Sequence, residues 1–143
     1  LTETTEQHLR INRRHRRIGM DIPCAAGLPG QDLAPARLRN LSIGGMKFEC
    51  GQALIRRFLP QENTTPGMVE DVMLEIEFRL PDDARGEALI RARARLSHYE
   101  RLAQDRFHVG LQFRDISDGI HRKLNAYIDH CIAAADAAGQ GAD

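Results

Sequence analysis

Between residues 72 and 113 apolar side chains return at every second position in three separate runs, and this alternation decides what the chain can become. In the first run Val72, Leu74, Ile76, Phe78 and Leu80 alternate with Asp71, Met73, Glu75, Glu77 and Arg79. In the second, Ala88, Ile90, Ala92, Ala94 and Leu96 alternate with Leu89, Arg91, Arg93, Arg95 and Ser97. In the third, Phe107, Val109, Leu111 and Phe113 alternate with His108, Gly110, Gln112 and Arg114. Successive side chains leave a strand on opposite faces, so a period of two predicts strands with one face buried. Pro81-Asp82-Asp83-Ala84-Arg85-Gly86 reads as the hairpin connection between the first two. The acidic outer row of the first strand then runs beside the Arg row of the second. Unlike charges opposed on neighbouring strands contribute roughly 0.2–1 kcal/mol per pair.

The upstream half carries shorter runs of the same kind. Ile18, Met20, Ile22 and Cys24 alternate with Gly19, Asp21 and Pro23. Pro23 has no N–H to give, which puts that part of the strand at an edge or an end. A turn over residues 27–32 leads to a strand from Ala34 to Leu41, with Ala36 and Leu38 on one face and Arg37 and Arg39 on the other. Ser42-Ile43-Gly44-Gly45 turns the chain into a third strand through Met46, Phe48 and Cys50. Residues 53–59 read equally as a strand or as one or two helical turns, and residues 60–67, with two prolines, as a loop. After residue 117 the period lengthens. Ile120, Leu124, Tyr127, Ile128, Cys131 and Ala135 recur at three and four residues, which predicts an amphipathic helix from about Asp118 to Ala137 with Ser117 or Asp118 as its N-cap. Six antiparallel strands followed by one helix predict a mainly β fold, a barrel or curled sheet with a C-terminal α-helix packed on it.

Composition narrows the function. The 143 residues make one domain, and 20 Lys plus Arg against 20 Asp plus Glu give a formal net charge of zero. That balance speaks against a cationic coat for a polymeric nucleic acid and against a polyacidic tail. The asymmetry is local. Eighteen of the bases are Arg, and five of these fall within residues 10–17 with no acid among them. No apolar run approaches the roughly 20 residues of a membrane helix, so no membrane span is expected. Cys24, Cys50 and Cys131 are odd in number and lack C-x-x-C spacing, which argues against a disulfide framework or a zinc site. They read as small buried residues of a protein in the reducing cytoplasm, and no secretory signal is visible. The chain starts at Leu1 rather than Met, which reads as a piece of a longer or processed protein.

Catalysis finds little support. There is no nucleophile elbow and no Walker A loop. His8, His15, His98, His108, His121 and His130 show no metal-binding or base-pairing spacing. His98 and His108 are expected at strand ends, and His121 and His130 on the solvated side of the helix. The carboxylate pairs Asp82-Asp83 and Glu70-Asp71 fall at turns. The chain is therefore read as no enzyme, with no metal and no cofactor.

Two short patterns carry chemistry instead. Arg13 and Arg17 stand four residues apart, just before the first strand. A guanidinium fork matches phosphate oxygens and the O6/N7 edge of guanine, and its plane stacks on a base. Asn40-Leu41-Ser42-Ile43-Gly44-Gly45 places short hydrogen-bonding side chains and two glycines in the turn between the second and third strands. Each pattern also has an ordinary reading, as a solvated basic leader and as a turn bonded to its own backbone.

Together, Arg-x-x-x-Arg before the first strand and Asn-x-Ser-x-x-Gly before the third resemble the two signature motifs of the PilZ family. The Val109-Gly110-Leu111-Gln112-Phe113 strand leading into a terminal helix is also similar. The resemblance spans about residues 10–137, and the leader and domain together resemble the C-terminal module of flagellar brake proteins. It implies a six-stranded antiparallel PilZ-like β-barrel that binds the bacterial second messenger cyclic di-GMP. On that pattern Arg13 and Arg17 grip guanine and phosphate, with Arg14 as an extra contact. Asn40 and Ser42 bind a guanine, and Gly45 keeps the turn open to the ligand. The register Arg10 to Arg14 is an alternative to Arg13 to Arg17, the latter preferred because Arg17 abuts the strand. Asn12 precedes Arg13 where a further base would stand, which leaves one molecule or an intercalated dimer open.

The implied organisation is a leader or linker over 1–12, the PilZ-like domain over 13–137 and a disordered tail over 138–143. The implied role is a receptor that passes a conformational switch to a protein partner or an upstream domain, in motility or biofilm control. The rival readings are a PilZ-like protein-interaction domain that binds no nucleotide, and a small nucleic-acid-binding barrel. The second conflicts with the zero net charge and with only 5% aromatic residues.

Overall fold

The alternating segments all fold as strands in a computed structural model, which describes residues 10–12, 16–59, 72–82 and 86–137. In chain order the elements are β1 (Arg10–Asn12), β2 (Arg17–Gly27), β3 (Ala34–Leu41), β4 (Gly45–Cys50), α1 (Gln52–Phe58), β5 (Met73–Asp82), β6 (Gly86–Ala103), β7 (Arg106–Asp115) and α2 (Asp118–Ala137). Every strand pairing is antiparallel. Strands β2, β3 and β4 form one meander, and β5, β6 and β7 a second. Two seams join them. β4 pairs with β7 from Gly45–Gln112 to Cys50–Phe107, and β2 pairs with β5 from Cys24–Phe78 to Gly27–Glu75. The six strands thereby close into a ring, the mainly β barrel that the alternation predicts. Residues 10–12, which the sequence places in the leader, add β1 to β2 by pairing with residues 17–19.

The ring closes tightly because its inward side chains complement one another in size. Leu74, Ile76 and Leu80 of β5 stand opposite Ala94, Ala92 and Ala88 of β6, while Phe78 stands opposite Ile90. All eight are buried. Large residues against small ones fill a barrel interior without strain. On the outer face Glu77 meets Arg91 at 2.9 Å and Glu75 meets Arg93 at 3.4 Å. The charge rows read from the sequence are thus paired in register, at sites exposed enough that each pair is worth about 0–1 kcal/mol.

Pro23 sits where β2 costs the sheet nothing by lacking an N–H. It pairs with Arg37 of β3, and its other side falls between the stretch bonded to β1 and the stretch bonded to β5. Residues 53–59 resolve as the short helix α1, which buries Leu54, Ile55 and Phe58 and sets Phe58 edge-on to Phe48 at 6.3 Å. Its first amide, on Gln52, donates to Asp105 Oδ1 at 2.7 Å, a cap supplied by the β6–β7 turn. At α2 the cap is Ser117, whose Oγ accepts the Ile120 N–H at 3.2 Å. Leu124, Ile128 and Cys131 of α2 pack into the core.

The three cysteines are free and buried. Burial pushes the thiols of Cys24 and Cys50 from 9.0 up to about 12. Burial likewise raises that of Cys131.

Candidate functional site

Five register shifts break the strict alternation of the described strands, and three of them bear on one recess. In β3 the register shifts between Leu38 and Asn40, so Arg39 and Asn40 both face outward before Leu41 turns in. In β6 it shifts between Leu96 and His98, so Ser97 and His98 both face outward before Tyr99 turns in. In β2 it shifts between Gly19 and Ile22. A bulge puts two residues opposite one and re-aims the side chains beside it. The result is a surface cavity of about 350 Å³ lined by residues of β2, β3, β4, β6 and β7.

Arg17, Asn40, Ser42 and Gly45, four of the residues singled out from the sequence, line this one cavity. Arg13 and Arg14 lie outside the described residues. Arg17 opens β2 and is exposed at the cavity rim. Asn40 is half-buried, with Gly19 of β2 on one side and Lys47 of β4 on the other. Ser42 belongs to the turn before β4. Its N–H donates to the Gly45 carbonyl at 2.9 Å, and its hydroxyl donates to the same oxygen at 3.3 Å. Two lone pairs on Ser42 Oγ remain for a donor from the cavity side. Gly45 is required by the seam itself, because a Cβ there would collide with the Leu111 carbonyl oxygen. The turn is pinned to β7 by the Phe113 N–H, which donates to the Gly44 carbonyl at 2.9 Å.

The neighbouring arginines of the basic run part ways. Arg17 goes to the cavity. Arg16, at φ 50°, turns back to α2, where its Nη2 bonds Asn125 Oδ1 at 3.0 Å and pairs with Asp129. A non-glycine residue in the left-handed region is uncommon, and here it separates two side chains that a regular strand end would leave together.

Sequence reasoning missed the far wall of the cavity. Lys47, Ser97, His98, Gly110 and Gln112 all line it. His98 is not at a strand end as expected, because β6 runs on to Ala103 through the bulge that turns the imidazole outward. The signal available was Gly110, a glycine in mid-strand, which marks a bulge or a close approach. A Cβ at Gly110 would land on the His98 ring. Among the described residues that line the cavity, Arg17 and Lys47 are cationic and none is acidic. The arrangement suits an anion that also offers hydrogen-bonding groups. The described residues hold no cluster of His, Cys, Asp and Glu suited to a metal ion, and no described helix is long and apolar enough to cross a membrane.

What the fold and the cavity define is a closed β-barrel module with a cationic, acid-free recess beside its first strand. The PilZ domain model matches residues 11–130, and the chain belongs to the PilZ domain family. Among solved structures it is similar to the Bacillus subtilis inhibitor of motility MotI/DgrA, at 16% identity and a TM-score of 0.60 over 86% of this chain and 51% of that one. It is similar to the K. pneumonia MrkH–c-di-GMP complex, at 11% identity and a TM-score of 0.56 over 89% and 51%. It is also similar to Escherichia coli YcgR in complex with c-di-GMP, at 19% identity and a TM-score of 0.53 over 90% and 49%. The chain spans about half the length of these structures. No curated protein matches it significantly.

Proposed function

We propose that this chain is a receptor domain for cyclic di-GMP and that the cavity beside Arg17 is its binding site. The observation that carries the reading is the convergence of Arg17, Asn40 and Ser42, from two strands and a turn, on one recess with two cations and no acid in its lining. By motif position Arg13 and Arg17 grip guanine and phosphate, with Arg14 as an extra contact. Asn40 and Ser42 meet a guanine edge. Charge-assisted bonds from Arg to phosphate are about twice as strong as neutral ones, and they offset the entropy of ordering the leader. MrkH and YcgR, which share the fold, are described with c-di-GMP bound, and this supports the same ligand class here.

The leader closes over the ligand and so re-aims whatever precedes it, an upstream domain or a protein partner. Arg16 supports this coupling, because it ties the residue before Arg17 to α2. Calorimetry of the chain with cyclic di-GMP tests the reading. Micromolar or tighter binding that is lost in Arg17→Ala and in Ser42→Ala is the expected result. Absence of binding by the intact chain overturns it and leaves the protein-interaction reading.

A further inference from the structure

His98 lines the cavity, and the two contacts of the Ser97 hydroxyl select its neutral tautomer. The Ser97 hydroxyl carries one hydrogen. Its oxygen lies 3.0 Å from the Gly110 carbonyl oxygen, which only accepts, so that hydrogen points there. The same Ser97 oxygen lies 3.1 Å from His98 Nδ1, and in that bond it must accept. Neutral His98 therefore carries its proton on Nδ1. Its Nε2 holds the lone pair and has no hydrogen-bond partner among the described residues. Any further proton goes to Nε2, and the Ser97 bond survives in both charge states. The ring has room only because Gly110 lacks a side chain.

We propose that His98 is a ligand-contacting residue of this site, and that an anion binding in the cavity takes up a proton from solvent at Nε2. The inference rests on the reading of the cavity as a cyclic di-GMP site. The charges around the imidazole give the direction. Arg17 from β2 and Lys47 from β4 line the same cavity, and β7 contributes the uncharged Gly110 and Gln112. On β6 itself, Arg95 stands opposite Gln112, and Glu100, two residues beyond His98, stands opposite His108 of β7. A ligand with two phosphates brings negative charge beside the imidazole and favours the imidazolium, which then donates from Nε2 to a phosphate oxygen. By linkage, what raises the proton affinity of His98 on binding raises ligand affinity by the same factor when the proton is supplied.

The test is calorimetry of the whole chain with cyclic di-GMP across the range in which histidine side chains change charge, about pH 5.5 to 8. Near the middle of that range it is repeated in two buffers of different ionisation heat. Wild type is expected to take up a fraction of a proton and to bind about fivefold or more tightly at the acidic end. His98→Gln, which keeps a polar side chain of similar reach, is expected to bind with neither effect. Nitrogen NMR of the wild-type imidazole, which needs no variant, is expected to show the Nδ1–H tautomer in the free chain and a shift towards imidazolium on adding ligand. Binding by wild type without proton uptake, the same pH slope in His98→Gln, or an Nε2–H tautomer in the free chain overturns the inference while leaving the receptor reading in place. Absence of binding by wild type at every pH overturns both.

Discussion

Gly110 and His98 face each other across the β6–β7 ladder so closely that a single methyl group at position 110 would take the place of the imidazole. Gly110→Ala is therefore expected to cost about 1–3 kcal/mol, the usual range for overpacking. The obstacle is a side chain, so Gly110→Ala combined with His98→Ala should recover most of that loss. Urea unfolding of the two single variants and the double variant measures the coupling.

Gly45 makes the opposite case. The atom its Cβ would strike is the Leu111 carbonyl oxygen, which is backbone and cannot be trimmed. Gly45→Ala is expected to lose about 3 kcal/mol with no second-site rescue by truncating a neighbour. A thermal melt run beside any binding assay of this variant should show a lowered Tm. Lost affinity in Gly45→Ala then reports the seam as much as a ligand contact.

The Arg16–Asp129 pair spans the start of β2 and the middle of α2 at two half-exposed side chains. A double-mutant cycle with Arg16→Ala and Asp129→Ala should return a coupling of about 0.2–1 kcal/mol. The coupling should shrink as salt is raised, since exposed charges are screened.

Ser117 holds the first turn of α2 through the Ile120 amide. Ser117→Ala should lower stability by about 1 kcal/mol, and Ser117→Asp should retain it, because both Ser and Asp accept at an N-cap. Chemical denaturation of the two variants distinguishes cap loss from a general effect of the site.

Cys24 and Cys50 set an alkaline limit. In the unfolded chain their thiols ionise from 9.0, whereas burial holds them neutral in the fold up to about 12. Below pH 9 both states are neutral and this contribution is fully present. Between pH 9 and about 12 the unfolded state alone gains charge, so stability falls as pH rises. The guanidinium midpoint should drop on going from pH 9 upward, and the drop should be shallower in Cys24→Ala with Cys50→Ala.

Helix α2 follows the sequence pattern over Asp118–Ala137 because it keeps one period along its length, and β3 covers the expected Ala34–Leu41 although a bulge after Leu38 breaks its alternation. The rest was hidden where the deciding contact is distant in sequence. α1 starts at Gln52 because Asp105 accepts its first amide, and no local pattern announces that. The outward turn of Asn40 and His98 depends on bulges, which change which face the next residue takes without changing its identity. The near wall of the cavity was legible because its residues lie in motifs contiguous along the chain. The far wall was not, because His98 and Gln112 meet it only after two meanders have joined.

That joining has a consequence for the molecule as a pair of parts. The first meander carries Arg17, Asn40, Ser42 and Lys47, and the second carries His98 and Gln112. The recess is lined from both. If the chain were severed between residues 59 and 72, an anion that fits the cavity would act as a crosslink between two fragments rather than as the cargo of one. Reassembly of the halves would then become a readout of that anion's concentration.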